Sequence, residues 1–200
     1  VATPRAIDLC NDKAAMHALL AGVDAVVHMG GVSTEQPWES ILAGNIVGMV
    51  NLYEAARAHR VKRIVFASSN HVTGFYRQSE VVSPRDPVRP DGFYGLSKCF
   101  GENLAQLYWD RHGIETVSLR IGSSYAEPKD RRMLATWMSF DDTERLIAAA
   151  LTAPVVGHSI VYGMSERNVP RVLGSFFELC GIREEDIADL AGYRREMNEI

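Results

Sequence analysis

Arg63-Ile-Val-Phe-Ala-Ser-Ser-Asn-His71 is the stretch from which the fold is read. Its first five residues form a short, nearly all-apolar run, the pattern of a strand buried on both faces. The run then turns polar at Ser68-Ser-Asn-His71. Upstream, Trp38 to His59 carries Ile41, Leu42, Ile46, Met49, Val50 and Tyr53 at helical spacing, and Asp24 to His28 is a short apolar strand running into Gly30-Gly31. Asp12 to Leu20 reads as a helix capped by Asn11 or Asp12, and Arg5 to Leu9 as a strand. Downstream, a long loop from Thr73 to Pro90 with three prolines leads to a helix from Phe93 to His112 that ends near Gly113. Glu115 to Ile121 and Ser159 to Tyr162 read as strands on either side of a helix from Asp141 to Leu151. Strands alternating with helices of this length predict an α/β fold built on a parallel sheet.

In such a sheet, ligands sit beyond the carboxyl ends of the strands. The polar residues collect there: Gly30-Gly31-Val-Ser33 after one strand, Ser68 to His71 after the next, and Gly122-Ser-Ser124 after a third. Tyr94 and Lys98 lie four residues apart in the following helix, so they share a face. An ammonium beside a phenol favours the phenolate and predicts a lowered tyrosine pKa, which suits proton transfer coupled to hydride transfer.

Composition narrows the rest. A net charge of −4 gives no case for nucleic acid or an anionic membrane, and no apolar run has the length of a membrane span. Cys10, Cys99 and Cys180 are too scattered for a zinc site, so no metal is expected; reduced thiols predict a cytoplasmic setting. Trp38, Trp109, Trp137 and His28 read as packing residues.

The stretches HMGGVS (28–33), GNIVGMVNLYEAARAH (44–59), FASSNHVTGFY (66–76), RPDGFYGLSKCFGENLA (89–105), RIGSS (120–124) and RRMLATWMSFDD (131–142) resemble the extended short-chain dehydrogenase/reductases, the NAD-dependent epimerase/dehydratase family, and within it the uronate dehydrogenases. The resemblance runs over residues 5 to 163. It implies a Rossmann-like, doubly wound sheet as a partial dinucleotide-binding domain over residues 1–163; the more charged tail beyond it, 164–200, departs from the family pattern and reads from its own composition as a C-terminal helical extension. It implies oxidation of the C1 hydroxyl of a uronic acid to a lactone, with NAD as hydride acceptor (NADP remaining open) and a possible homo-oligomer. By the resemblance Tyr94 is the base, Lys98 its activator, and Ser69 or Asn70 the partner of the reacting oxygen. Ser33, Asn70, His71 and Ser123 would line the sugar pocket, and Arg132 would grip the substrate carboxylate. Asp8, Leu9, Gly30, Gly31, Asn45 and Ile121 would lie along the cofactor with Tyr94 and Lys98. Simpler alternatives stand beside these: Arg131 for Arg132, Ser124 for Ser123, a backbone-bonded buried role for His71, and a solvent-facing one for Asn45.

The sequence departs from the family pattern at its start. It holds no GxxGxxG turn and begins with valine, which reads as a fragment or processed start with the first βαβ unit missing. Either the natural protein is longer, or the Arg5–Leu9 strand pairs directly beside Asp24–His28. Two rival functions follow: a sugar epimerase, dehydratase or ketoreductase of the same family, or a silent fragment or binding module.

Overall fold

The computed structural model describes residues 8–77, 80–129 and 133–165. Helix α1 (Lys13–Leu20) is capped by Asp12, whose carboxylate accepts the Ala15 N–H at 2.9 Å. Strand β1 (Ala25–His28) leads to a long helical segment in three parts: α2 (Trp38–Ile41), a π-turn stretch (Leu42–Val47) and α3 (Gly48–Ala58). Strand β2 (Arg63–Ser69) ends in a 3₁₀ turn, Asn70–Thr73. Helix α4 (Phe93–His112) stops at Gly113, which takes the left-handed conformation at φ 68°. Strand β3 (Glu115–Ile121), the short pair β4 (Ser123–Ser124) and β5 (Trp137–Met138), helix α5 (Phe140–Thr152) and strand β6 (His158–Gly163) complete the order.

The main sheet runs β1-β2-β3-β6, all parallel, as the alternation of elements predicts. Period-two alternation splits its side chains between two layers. Ile64 and Phe66 pack with Met16 and Leu20 of α1, Met49, Leu52 and Tyr53 of α3, and Leu104 and Tyr108 of α4. Val65, Val117, Leu119 and Val161 point the other way, onto Leu146 and Ala150 of α5. Helices therefore cover both faces, the doubly wound arrangement. Burying a side chain such as Ile64, fully excluded from solvent, contributes roughly 1.5–3 kcal/mol.

The segment expected as strand Arg5–Leu9 is corrected where it is described. Arg5 to Ile7 lie outside the described residues, and Asp8 and Leu9 are loop and turn. The cause is local: the Asp8 carboxylate accepts the N–H groups of Cys10 and Asn11 at 2.9 and 3.2 Å, bending the chain out of an extended path. The Asn51 amide then pins the Leu9 and Cys10 carbonyls, each at 3.0 Å. Among the described residues, β1 pairs with β2 alone. Residues 166–200, expected as a helical extension, lie outside the described residues. Ser165 is buried and tied to β5 and α5 through the Trp137 carbonyl (2.8 Å) and the Asp142 carboxylate. No described helix is long and apolar enough to cross a membrane.

Candidate active site

The carboxyl ends of β1, β2 and β3 and one face of α4 make the site. Tyr94 is buried near the start of α4, with Lys98 one turn on. The Lys98 ammonium donates to the Ala67 carbonyl at 2.8 Å, and lies 5.0 Å from the Phe66 ring centroid and 5.5 Å from that of Tyr94. Burial lowers the Lys98 pKa to about 8.

The expected lowering of the Tyr94 pKa is not what the structure gives. Burial raises it, and the Ser69 hydroxyl opposes the rise. The physical reason is direction. The ammonium is aimed at a backbone carbonyl and lies over the tyrosine ring, so desolvation of the phenolate dominates.

Ser69 caps the 3₁₀ turn by accepting the His71 N–H at 3.2 Å, which fixes Asn70 and His71 beside Tyr94. The His71 and Tyr94 rings meet edge to face, with centroids 5.5 Å apart. Asn70 and His71 line a cavity of about 250 Å³ together with Thr136 and Tyr162. Ser123 does not line it but is tied to Thr136, which does: its N–H donates to the Thr136 carbonyl at 2.8 Å, and its hydroxyl lies 3.3 Å from that of Thr136. Ile121 pairs with Ser69 across the sheet, placing the two strand ends side by side.

On the β1 side, Gly30, Asn45 and Lys98 come together with His28, Ser97 and Phe66 around a crevice too tight for a water molecule. His28 is buried and stacked on Phe66, with ring centroids 5.9 Å apart, as a packing residue; burial, helped by the Lys98 charge, lowers its pKa to about 4, so it sits neutral. Leu9 packs against Gly30, and Asp8 is spent on its own turn. Asn45 falls inside the π-turn stretch and is buried, so a solvent-facing role is ruled out. Its carbonyl accepts the Val32 N–H (2.7 Å), and its amide donates to the Val32 carbonyl (3.1 Å) and the Ser97 hydroxyl (2.8 Å). Both amide hydrogens are therefore used within the protein, and Asn45 ties the 30–33 loop to α4. Ser33 is exposed in that loop. Arg131 and Arg132 lie outside the described residues, whereas Ser124 faces away toward Thr143, at 3.4 Å.

Four supporting residues went unread in the sequence. Glu35 accepts the N–H groups of Phe93 and Tyr94 at 3.0 and 2.9 Å, capping α4 from another loop because Gly92 has no side chain to do so. Asp91 holds His71. Glu102 and Arg120 form a buried ion pair behind Ser68. Only this pair left a signal: an arginine inside the apolar strand Glu115–Ile121 demands a buried acid.

With this geometry in view, likeness to known proteins is informative. The model of the NAD dependent epimerase/dehydratase family matches residues 3–158. A uronate dehydrogenase of Pseudomonas syringae pv. tomato is 57% identical over 162 residues, which are 80% of this chain and 59% of that one. The uronate dehydrogenase of Pseudomonas putida is 60% identical over 155 residues, 78% of this chain and 58% of that one. The chain thus spans under two thirds of the length of both relatives. A solved mutant uronate dehydrogenase from Agrobacterium tumefaciens, complexed with NAD, superposes with a TM-score of 0.85 at 46% identity, covering 100% of this chain and 77% of that one. The fold, the site and the extent of the match agree: the chain belongs to the NAD dependent epimerase/dehydratase family.

Proposed function

We propose that the protein oxidises the C1 hydroxyl of a uronic acid, galacturonate or glucuronate, with NAD as acceptor. The observation that carries this reading is the cluster of Tyr94, Lys98 and Ser69 at one strand end, in a chain 57–60% identical to two uronate dehydrogenases. The residues present suit the ribose end of a dinucleotide. Among the described residues the Lys98 ammonium donates to Ala67 alone, which leaves two N–H donors for a pair of vicinal hydroxyls. NAD, when bound, supplies the acceptor for the C1 hydride.

The chain's own groups do the proton work. Ser69 donates to the reacting oxygen and orients it. Tyr94 removes the hydroxyl proton as the C1–H bond breaks, and the C1=O bond of a lactone forms. Lys98, 5.5 Å from the Tyr94 ring centroid, is the proposed cation for the phenolate that this role requires, set against the burial that raises the Tyr94 pKa. Arg132 is the proposed bidentate partner of the substrate carboxylate.

The test is NADH formation from each uronate and NAD. Tyr94→Phe lowers kcat about 10²–10⁴-fold with an unchanged circular dichroism spectrum, and Arg132→Ala raises KM for the uronate with little change for NAD. Absence of NADH from both sugars, or an active Tyr94→Phe variant, overturns the proposal.

A further inference from the structure

Asp91 lies outside the reaction scheme above, yet the fold makes room for it with care. It stands two residues ahead of α4, in the loop that returns from the prolines. An added Cβ on Gly74 would collide with its carboxylate, and one on Gly95 would sit 3.2 Å from the same group. Between these two glycines the carboxylate places both oxygens on one ring nitrogen of His71: Nδ1 lies 2.9 Å from Oδ1 and 2.8 Å from Oδ2. A carboxylate only accepts, so Nδ1 carries the hydrogen. A neutral imidazole then has its lone pair on Nε2. Among the described residues nothing hydrogen-bonds Nε2. Both His71 and Asp91 line the cavity beside Tyr94, with the imidazole side chain 40% exposed.

We propose that Asp91 is a positioning residue that locks His71 as a hydrogen-bond acceptor for one hydroxyl of the sugar. The inference rests on the uronate reading and adds to it a direction. A lone pair repels a carboxylate and takes an O–H, so the His71 end of the cavity receives the hydroxyl-bearing part of the ring and the acid group lies elsewhere. Without the carboxylate, imidazole can present an N–H on the same side and lose that discrimination.

The experiment has two arms. In the first, nitrogen-15 NMR of the histidine rings, with His71 assigned through His71→Gln, reads the tautomer in mildly alkaline buffer without substrate. The wild type shows a protonated Nδ1 and a bare Nε2, and isosteric Asp91→Asn shifts that balance. In the second, NADH formation is measured with galacturonate and its 2-, 3- and 4-deoxy analogues. One deoxy analogue loses about tenfold or more in kcat/KM with the wild type. Asp91→Asn loses about as much with the parent sugar, mainly through KM, and no longer distinguishes that analogue. In His71→Gln, adding Asp91→Asn changes nothing further, which a general structural role would not produce. A bare Nδ1 in the wild type, or additive losses in the double variant, overturns the proposal. If the wild type oxidises no uronate, the functional reading fails while the NMR arm still decides the His71–Asp91 lock.

Discussion

Replacing Glu102 with glutamine keeps its size and removes one charge from the interior. The Glu102 carboxylate, 3% exposed, accepts Arg120 Nε at 2.9 Å, Arg120 Nη2 at 2.8 Å and the Ser68 hydroxyl at 2.7 Å. Arg120 is 1% exposed. Burial opposes its charge, and the Glu102 contacts more than offset that opposition, raising its pKa. A guanidinium does not deprotonate within any useful pH range, so Glu102→Gln leaves an uncompensated buried cation. Breaking such a pair from one side costs about 3–5 kcal/mol. For a chain of this size each kcal/mol moves Tm by about 2–4 °C, which gives a fall of roughly 6–20 °C. Urea unfolding followed by circular dichroism measures the difference directly. A loss under about 1 kcal/mol, the range of an exposed pair, would falsify the reasoning. The paired replacement Glu102→Leu with Arg120→Met, which removes both charges, recovers a large part of the loss.

Two further outcomes follow from the same helix. Lys98 has a folded pKa of about 8 against 10.5 as its ordinary value, so between those limits the unfolded chain binds more protons and stability rises with pH. The rise is about 3 kcal/mol for this group, and the stability difference between wild type and Lys98→Met, followed across that window, isolates it; a flat difference refutes the assignment. Gly95→Ala places a Cβ 2.5 Å from the His71 carbonyl, a backbone atom that cannot swing away. Overpacking of roughly 1–3 kcal/mol outweighs the helix preference of alanine, about 1 kcal/mol. The variant therefore melts lower and loses NADH formation beyond what its melting explains, because the turn holding Asn70 and His71 moves off Tyr94.

The sheet was legible because hydrophobic runs and their polar ends are local facts. β2 and β3 begin where the apolar runs of Arg63–Ala67 and Glu115–Ile121 begin, and Gly113 ends α4 as its position predicts. Asp8–Leu9 misled because a carboxylate reaching its own neighbours outcompetes strand propensity, and that contest is invisible to a periodicity count. The Tyr94–Lys98 spacing was legible, but the sign of the tyrosine shift was not: it depends on where the ammonium points and how deep the phenol lies. Glu35 and Asp91 escaped because the groups they hold are 58 and 20 residues away in sequence.

What the structure adds is the reason one helix can set a reaction geometry. Successive turns of α4 are fixed to the segment after β1, to β2 and to β3. Glu35, from the loop after β1, caps the Phe93 and Tyr94 N–H groups. Ser97 accepts from Asn45, which clamps the Val32 backbone. Lys98 reaches the Ala67 carbonyl of β2. Glu102 takes Ser68 of β2 and Arg120 of β3 together, and Arg120 continues to Tyr162 of β6 at 3.2 Å, then Thr73 at 3.0 Å and the Asn70 carbonyl at 3.2 Å. Positions 94, 97, 98 and 102 share a face because a helix repeats every 3.6 residues. The phenol, the ammonium and the groups that hold them are therefore one rigid row, and a shift of α4 along its axis would break several bonds at once. Proton transfer tolerates little displacement, so a helix bolted to three strands serves Tyr94 better than a loop.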